Sequence, residues 1–222
     1  MQIHRNIFDL KPEYTMRVGV FGSASGYLMR SEAAVNAAYE VGRQIALRGG
    51  MLINGACPGL PDEAARGCKE AGGATFGVSP AASICSHLQK YKSPVEHYDG
   101  FLFTGLGLMV RDIINVRSSN CCIILPGGTG TLNEFTVAYD EGKPIGVLDG
   151  YDGVADHIPQ ILEYCHREVT DRMVISSDPA ELVEKLMHLT RRVDEGCMLD
   201  DYLVGDDGEV TKIEAQARTT KY

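Results

Sequence analysis

The sequence has no excess of positive charge: 21 lysines and arginines stand against 30 aspartates and glutamates, a formal net charge of −9. Broad binding to nucleic-acid phosphate is thereby disfavoured, because that mode needs a basic surface to displace counterions. A small anion is still admissible, since backbone amides at a helix N-terminus or a single arginine act locally. There is no Cys-x-x-Cys pair among the 7 cysteines, at 57, 68, 85, 121, 122, 165 and 197. Neither a disulfide framework nor a zinc knuckle is indicated, and no metal site is expected. No apolar run approaches the length of a membrane span, and residues 1–12 lack the apolar stretch of a signal peptide. The expectation is a soluble, cytoplasmic protein in a reducing compartment, with no membrane and no nucleic-acid partner.

Two nucleotide signatures are also missing. Gly-x-x-x-x-Gly-Lys-Ser/Thr occurs nowhere in the chain, which makes ATP hydrolysis a poor reading. The loop Gly22-Ser23-Ala24-Ser25-Gly26 lacks the Gly-x-Gly-x-x-Gly fingerprint, and Met51-Leu52-Ile53 is followed by Asn54 rather than by an acid that would hold an adenosine ribose. A nicotinamide or flavin dehydrogenase is disfavoured, and no cofactor is expected.

What is present is an alternation of short apolar runs with longer amphipathic ones, the mark of βαβ units. Strands are predicted over 16–22, 51–53, 74–78, 101–103, 121–125, 144–148 and 173–175. Helices are predicted over about 32–48, 62–71, 108–119, 131–141 and 154–167, with a last one starting at Asp178-Pro179 and ending near Arg192. Residues 79–99 read as a long excursion without periodicity, carrying His87 and His97, to which no role is given. The 222 residues fit one α/β domain, a doubly wound Rossmann-like parallel sheet with helices on both faces, over 16–192. An N-terminal arm, 1–15, precedes it. A C-terminal extension, 193–222, follows, in which Gly205-Asp206-Asp207-Gly208 is flanked by strand-like runs as in a hairpin.

The segment Leu125-Pro126-Gly127-Gly128-Thr129-Gly130-Thr131 joins an apolar strand to an amphipathic helix, the position where doubly wound sheets bind ligands. Its glycines let backbone amides approach an anion, and the two threonine hydroxyls add donors, so a phosphate site is expected there. A tight turn with no ligand is the alternative. Cys121 and Cys122 point to opposite faces of their strand and read as core residues.

Pro126-Gly127-Gly128-Thr129-Gly130-Thr131-Leu132-Asn133-Glu134 resembles the Pro-Gly-Gly-x-Gly-Thr-x-x-Glu motif of the Lonely Guy family. Members of that family are phosphoribohydrolases releasing a base from nucleoside 5′-monophosphates, and many were once labelled lysine decarboxylases. The resemblance runs from about residue 16 to 190 and includes Val18-Gly19-Val20-Phe21-Gly22-Ser23 and Gly55-Ala56-Cys57-Pro58-Gly59-Leu60. It places the family's catalytic pair on Arg111 and Glu134, and the nucleotide site on Gly22, Ser23, Gly55, Gly59, Gly127, Gly128, Thr129, Gly130 and Thr131. It implies an AMP-like nucleoside monophosphate as ligand and a homodimer with the site near the interface. Many members read Met-His-x-Arg-Lys where this chain has Leu108-Met109-Val110-Arg111-Asp112, and glycines where it has Asn54 and Ala56. Decarboxylation is discounted, because no lysine lies in the glycine loops to form a Schiff base with pyridoxal phosphate.

Bland readings compete with this one. Thr131-x-x-Glu134 also fits a capping box, with threonine at the helix N-cap. Arg111, read in the first turn of its helix, forms a polar stripe with Asn115 and Ser118 while Met109, Val110, Ile113 and Ile114 supply the apolar faces, so Arg111 also fits a solvated helix face. No second acid is evident beside Glu134, unlike in a two-carboxylate glycosidase. A non-catalytic module is the alternative function, since proteins of this architecture include carriers of the phosphate-bearing molybdenum cofactor.

Overall fold

The structure, a computed structural model, describes residues 15–200 and the short strands at 202–204 and 210–212. Apart from Thr15 the expected N-terminal arm lies outside the described residues, as do the turn at 205–208 and the end of the C-terminal extension. The chain runs β1 (Arg17–Phe21), α1 (Glu32–Leu47), β2 (Met51–Asn54), α2 (Leu60–Glu70), β3 (Ala74–Ser79), α3 (Ile84–Gln89), β4 (Gly100–Phe103), α4 (Gly107–Ser118), β5 (Cys121–Ile124), α5 (Thr129–Asp140), β6 (Ile145–Leu148), α6 (Ile158–Tyr164), β7 (Met173–Ser176) and α7 (Pro179–Asp200). Then β8 (Tyr202–Val204) pairs antiparallel with β9 (Val210–Lys212).

The first seven strands form one sheet in the order β4-β3-β2-β1-β5-β6-β7, and every pairing in it is parallel. Strands of such a sheet are covered on both faces, which is why Cys121-Cys122-Ile123-Ile124 is apolar without alternation and fully buried. On one face, Val18, Val20, Leu52, Cys121 and Ile123 pack with α1, α2 and α7. On the other, Phe21, Cys122 and Ile124 pack with Val116 of α4, Phe135 and Ala138 of α5, and Ile158 and Leu162 of α6. The two adjacent cysteines thus serve different cores, as their alternation requires. The order of connection reverses between β1 and β5, so the open crevice of the fold lies beyond the carboxyl ends of those two strands.

Local chemistry sets several boundaries. Ser31 caps α1 by accepting from the Ala34 amide at 3.3 Å. The excursion at 79–99 contains a helix after all: the Ser83 hydroxyl accepts from the Ser86 amide and starts α3, a segment too short for its periodicity to be read. The helix expected over 154–167 is a 3-10 turn, Val154–His157, followed by the short α6. The last helix continues past Arg192 to Asp200. Among the described residues no helix is long and apolar enough to cross a membrane.

Candidate functional site

Three chain segments meet beyond the ends of β1 and β5. The Ser23 amide donates to the Pro126 carbonyl at 3.0 Å, and the Leu60 amide donates to the Ser23 carbonyl at 2.9 Å, tying the loops after β1, β5 and β2 to one another. Inside the loop after β2, Asn54 is fully buried. Its Nδ2 donates to the Pro61 carbonyl at 2.7 Å and its Oδ1 accepts the Ala56 amide at 2.8 Å. That clamp holds Ala56 at φ 47°, a left-handed conformation in which glycine is the usual occupant.

The loops enclose a cleft of about 330 Å³ lined by Gly22, Ser23, Gly55, Gly128, Thr129, Gly130, Thr131, Arg111 and Glu134 among others. Two of the residues expected at the site stand behind it instead. Gly127 leaves room for the Thr131 side chain, which a β-carbon there would overlap, and its carbonyl accepts the Val154 amide at 2.8 Å. Gly59 is the N-cap of α2 and packs against the Ser23-Ala24 backbone. Neither His87 nor His97 reaches the cleft. The His87 ring is buried between the Ser79 hydroxyl, 2.8 Å from Nδ1, and the Pro94 carbonyl, 3.0 Å from Nε2. The His97 Nδ1 lies 3.1 Å from Asp62 Oδ1.

The capping-box reading of Thr131 and Glu134 fails. Helix α5 begins two residues earlier than its pattern suggests, with Gly128 as N-cap and the Leu132 amide donating to the Gly128 carbonyl at 2.9 Å. Thr131 is therefore inside the first turn, and the amides of Thr129, Gly130 and Thr131 lack partners within the helix. Glu134 lies a further turn along, 8% exposed and facing the cleft. Burial pushes its carboxyl well above the usual carboxylate range; Asp112 adds to this, and Arg111 opposes it.

Helix α4 is inverted relative to its expected polarity. Arg111, Asp112 and Asn115 are buried, at 4%, 5% and 0% exposure, whereas Met109, Val110 and Ile113 are exposed. The solvated-face reading of Arg111 is thus overturned, and because α4 begins at Gly107, Arg111 sits in the second turn, beyond the strongest influence of the helix dipole. Its guanidinium lies against Gly55, where any β-carbon would overlap it. The Nε is 3.5 Å from Asp112 Oδ1, while Nε and Nη1 have no hydrogen-bond partner. A buried cation with unfilled donors beside a cleft is suited to an anionic ligand.

Sequence reasoning missed the second acid, Asp112, and also Cys57. Asp112 lines the cleft and accepts from Asn133 Nδ2 at 3.2 Å. Burial raises its carboxyl, opposed by Arg111 and Asn133. An adjacent pair of charges, Arg111-Asp112, inside the otherwise apolar run Leu108 to Ile114 is the signal that could have marked it. Burial pushes the Cys57 thiol up to about 12, so it stays protonated at neutral pH. No cluster of three or more His, Cys, Asp or Glu able to hold a metal occurs among the described residues.

The chain is 31% identical over 153 residues to a cytokinin riboside 5′-monophosphate phosphoribohydrolase of Mycobacterium tuberculosis, covering 62% of this chain and 77% of that protein. An Arabidopsis thaliana protein of the same name is 30% identical over 183 residues, covering 77% and 76% respectively. The structure of the molybdenum cofactor carrier protein from Chlamydomonas reinhardtii superposes with a TM-score of 0.63 at 29% identity, covering 80% of this chain and 99% of that one. The SLOG cluster4 family is matched across residues 15–183, from β1 into α7, and the chain is a member of that family.

Proposed function

We propose that the chain is a hydrolase that cleaves the N-glycosidic bond of a nucleoside 5′-monophosphate to free base and ribose 5-phosphate. The carrying observation is that Arg111 and Glu134 converge on one cleft with the glycine-rich N-terminus of α5. The amides of Gly128, Thr129, Gly130 and Thr131, with Gly22 and Ser23 opposite, hold the 5′-phosphate at the positive end of the helix. Gly55 seats Arg111, and Gly59 and Gly127 support the loops from behind. Loss of the base develops positive charge on the ribose, which the Glu134 side faces, and Glu134 orients and deprotonates the attacking water. Arg111 binds the nucleotide anion or steadies the leaving base. An AMP-like purine nucleotide is the substrate class, in keeping with the names of the two phosphoribohydrolase relatives.

The working unit in this reading is a cytoplasmic homodimer. Leu106, Met109, Val110 and Ile113 of the α4 region are exposed, and nearby Met51, Ile53, Phe76, Val78 and Leu102 line a groove on the same sheet face, bordered by Ser118. An apolar surface of that extent favours a protein partner, and a second copy places both clefts beside the interface.

The test is incubation of the purified protein with a panel of nucleoside monophosphates, reading free base and ribose 5-phosphate by chromatography. Release from at least one of them is expected. Binding without release from any favours the second reading, a carrier of a phosphate-bearing nucleotide or of molybdenum cofactor, which the likeness to the Chlamydomonas protein supports.

A further inference from the structure

The cleft contains two carboxylates and one guanidinium, and the pairing among them is uneven. Asp112 takes the available partners: its Oδ1 lies 3.5 Å from Arg111 Nε and its Oδ2 accepts from Asn133 Nδ2 at 3.2 Å. The Glu134 side chain, on the facing helix, makes no hydrogen bond or ion pair among the described residues. The ionisable groups facing it are Arg111 and Asp112 on α4, Cys57 on the loop after β2, and Cys122 on β5. Both thiols are held in the neutral form by burial. A largely buried carboxyl, next to a like charge and with the nearest cation in ion-pair contact with Asp112 through Nε, is favoured in its protonated form.

We infer that Glu134 enters the reaction as the neutral acid, and that Asp112 is the positioning residue that keeps it so, by its like charge and by its ion pair with Arg111 Nε. The chemistry rests on the hydrolase reading above. As the C1′–N bond breaks, its electron pair goes to the base nitrogen, and Glu134 transfers its proton to the base. The resulting carboxylate faces the cationic ribose. Water then adds its oxygen to C1′ and gives a proton to Glu134, which returns to its starting form. One residue thus serves as acid and then as base, and neither cofactor nor external proton carrier is consumed. Asp112 touches no reacting atom in this scheme.

The experiment is a carboxyl NMR titration of the whole protein labelled with 13C at glutamate Cδ, the Glu134 signal being identified by its loss in Glu134→Gln. Wild-type Glu134 is expected to stay protonated well above the ordinary glutamate value of about 4.3. Asp112→Asn, which keeps the shape and the Asn133 contact, lowers that midpoint, because it removes the like charge and leaves Glu134 as the anion facing Arg111. Asp112→Ser is a second variant expected to move it the same way. A wild-type Glu134 titrating in the ordinary range overturns the inference, as does a midpoint unmoved in both folded variants. The alkaline limb of base release should follow the Glu134 midpoint and move to lower pH in Asp112→Asn; a limb that does not move sinks the acid role. If no nucleotide in the panel releases base, the hydrolase reading and the proton transfer fail together, while the titration still decides whether Asp112 governs Glu134.

Discussion

The guanidinium of Arg111 occupies the space that a side chain on Gly55 would need. The arginine is buried on an inverted helix, and the glycine after β2 is the surface it rests on, so the position of the cation is written into two distant parts of the chain. Gly55→Ala is expected to fold, because the loop is still clamped by Asn54, yet to push Arg111 out of register with the cleft. Misplacement of a positioned group by about 1 Å costs up to about 100-fold in rate, and a loss of that order in base release is expected with a near-native circular dichroism spectrum. An alanine variant working at the wild-type rate would show that Arg111 is not held by this contact.

Glu134→Gln is expected to lower base release by about 100- to 10,000-fold, the usual contribution of a general acid–base group. The same variant should change stability in the opposite direction. A carboxyl whose folded-state proton affinity is raised stays protonated in the folded chain at pH values where the unfolded chain has already lost the proton. Its contribution is therefore fully present below the unfolded value of about 4.3 and is lost as pH rises toward the folded value. Melting curves at pH 4 and pH 7.5 should show Glu134→Gln gaining on the wild type at the higher pH, at about 2–4 °C per kcal/mol for a chain of this size. Equal differences at both pH values would count against a buried, uncompensated Glu134.

Thiol mapping separates the cleft cysteine from the surface ones. Cys85 and Cys165 are exposed, whereas burial pushes the Cys57 thiol up to about 12 and the Cys68 thiol up to about 11. Brief treatment with iodoacetamide at pH 7.5 should label Cys85 and Cys165 and leave Cys57 and Cys68 unmodified by peptide mass spectrometry. Rapid labelling of Cys57 would contradict the electrostatics described for the cleft.

The exposed side of α4 gives a test of assembly. Val110 is half-exposed and does not line the cleft. Val110→Asp is expected to convert a particle of about twice the 24.1 kDa chain mass into a monomer, read by light scattering after size exclusion. A wild-type protein that is already monomeric at micromolar concentration removes the dimer from the proposed function.

The centre of the sheet was legible because its strands are buried on both faces, as the unbroken apolar run from Cys121 to Leu125 shows. The glycine segment and the Arg111–Glu134 spacing were legible through resemblance. The start of α5 was not, because Gly128-Thr129-Gly130 has the composition of a loop although Thr129 and Gly130 lie within the first helical turn. Nor was the sense of α4. Hydrophobic periodicity assumes that the inward side of a helix meets a core, whereas the inward side of α4 meets the core at Val116 but otherwise faces Gly55, Asn133 and the cleft. Asp112 was hidden by the same inversion, since a carboxylate beside Met109, Val110 and Ile113 reads as the solvent side.

The bond from the Ser23 amide to the Pro126 carbonyl also has a bearing on synthesis. The first loop leaves the ribosome early, but the strand that pairs with β1 on that side and the loop that Ser23 leans on are made only in the second half of the chain. A nascent or truncated chain ending before β5 can pair β1 with β2 alone and has no α5 to donate amides. The nucleotide capture proposed for this cleft would therefore be acquired only late in translation.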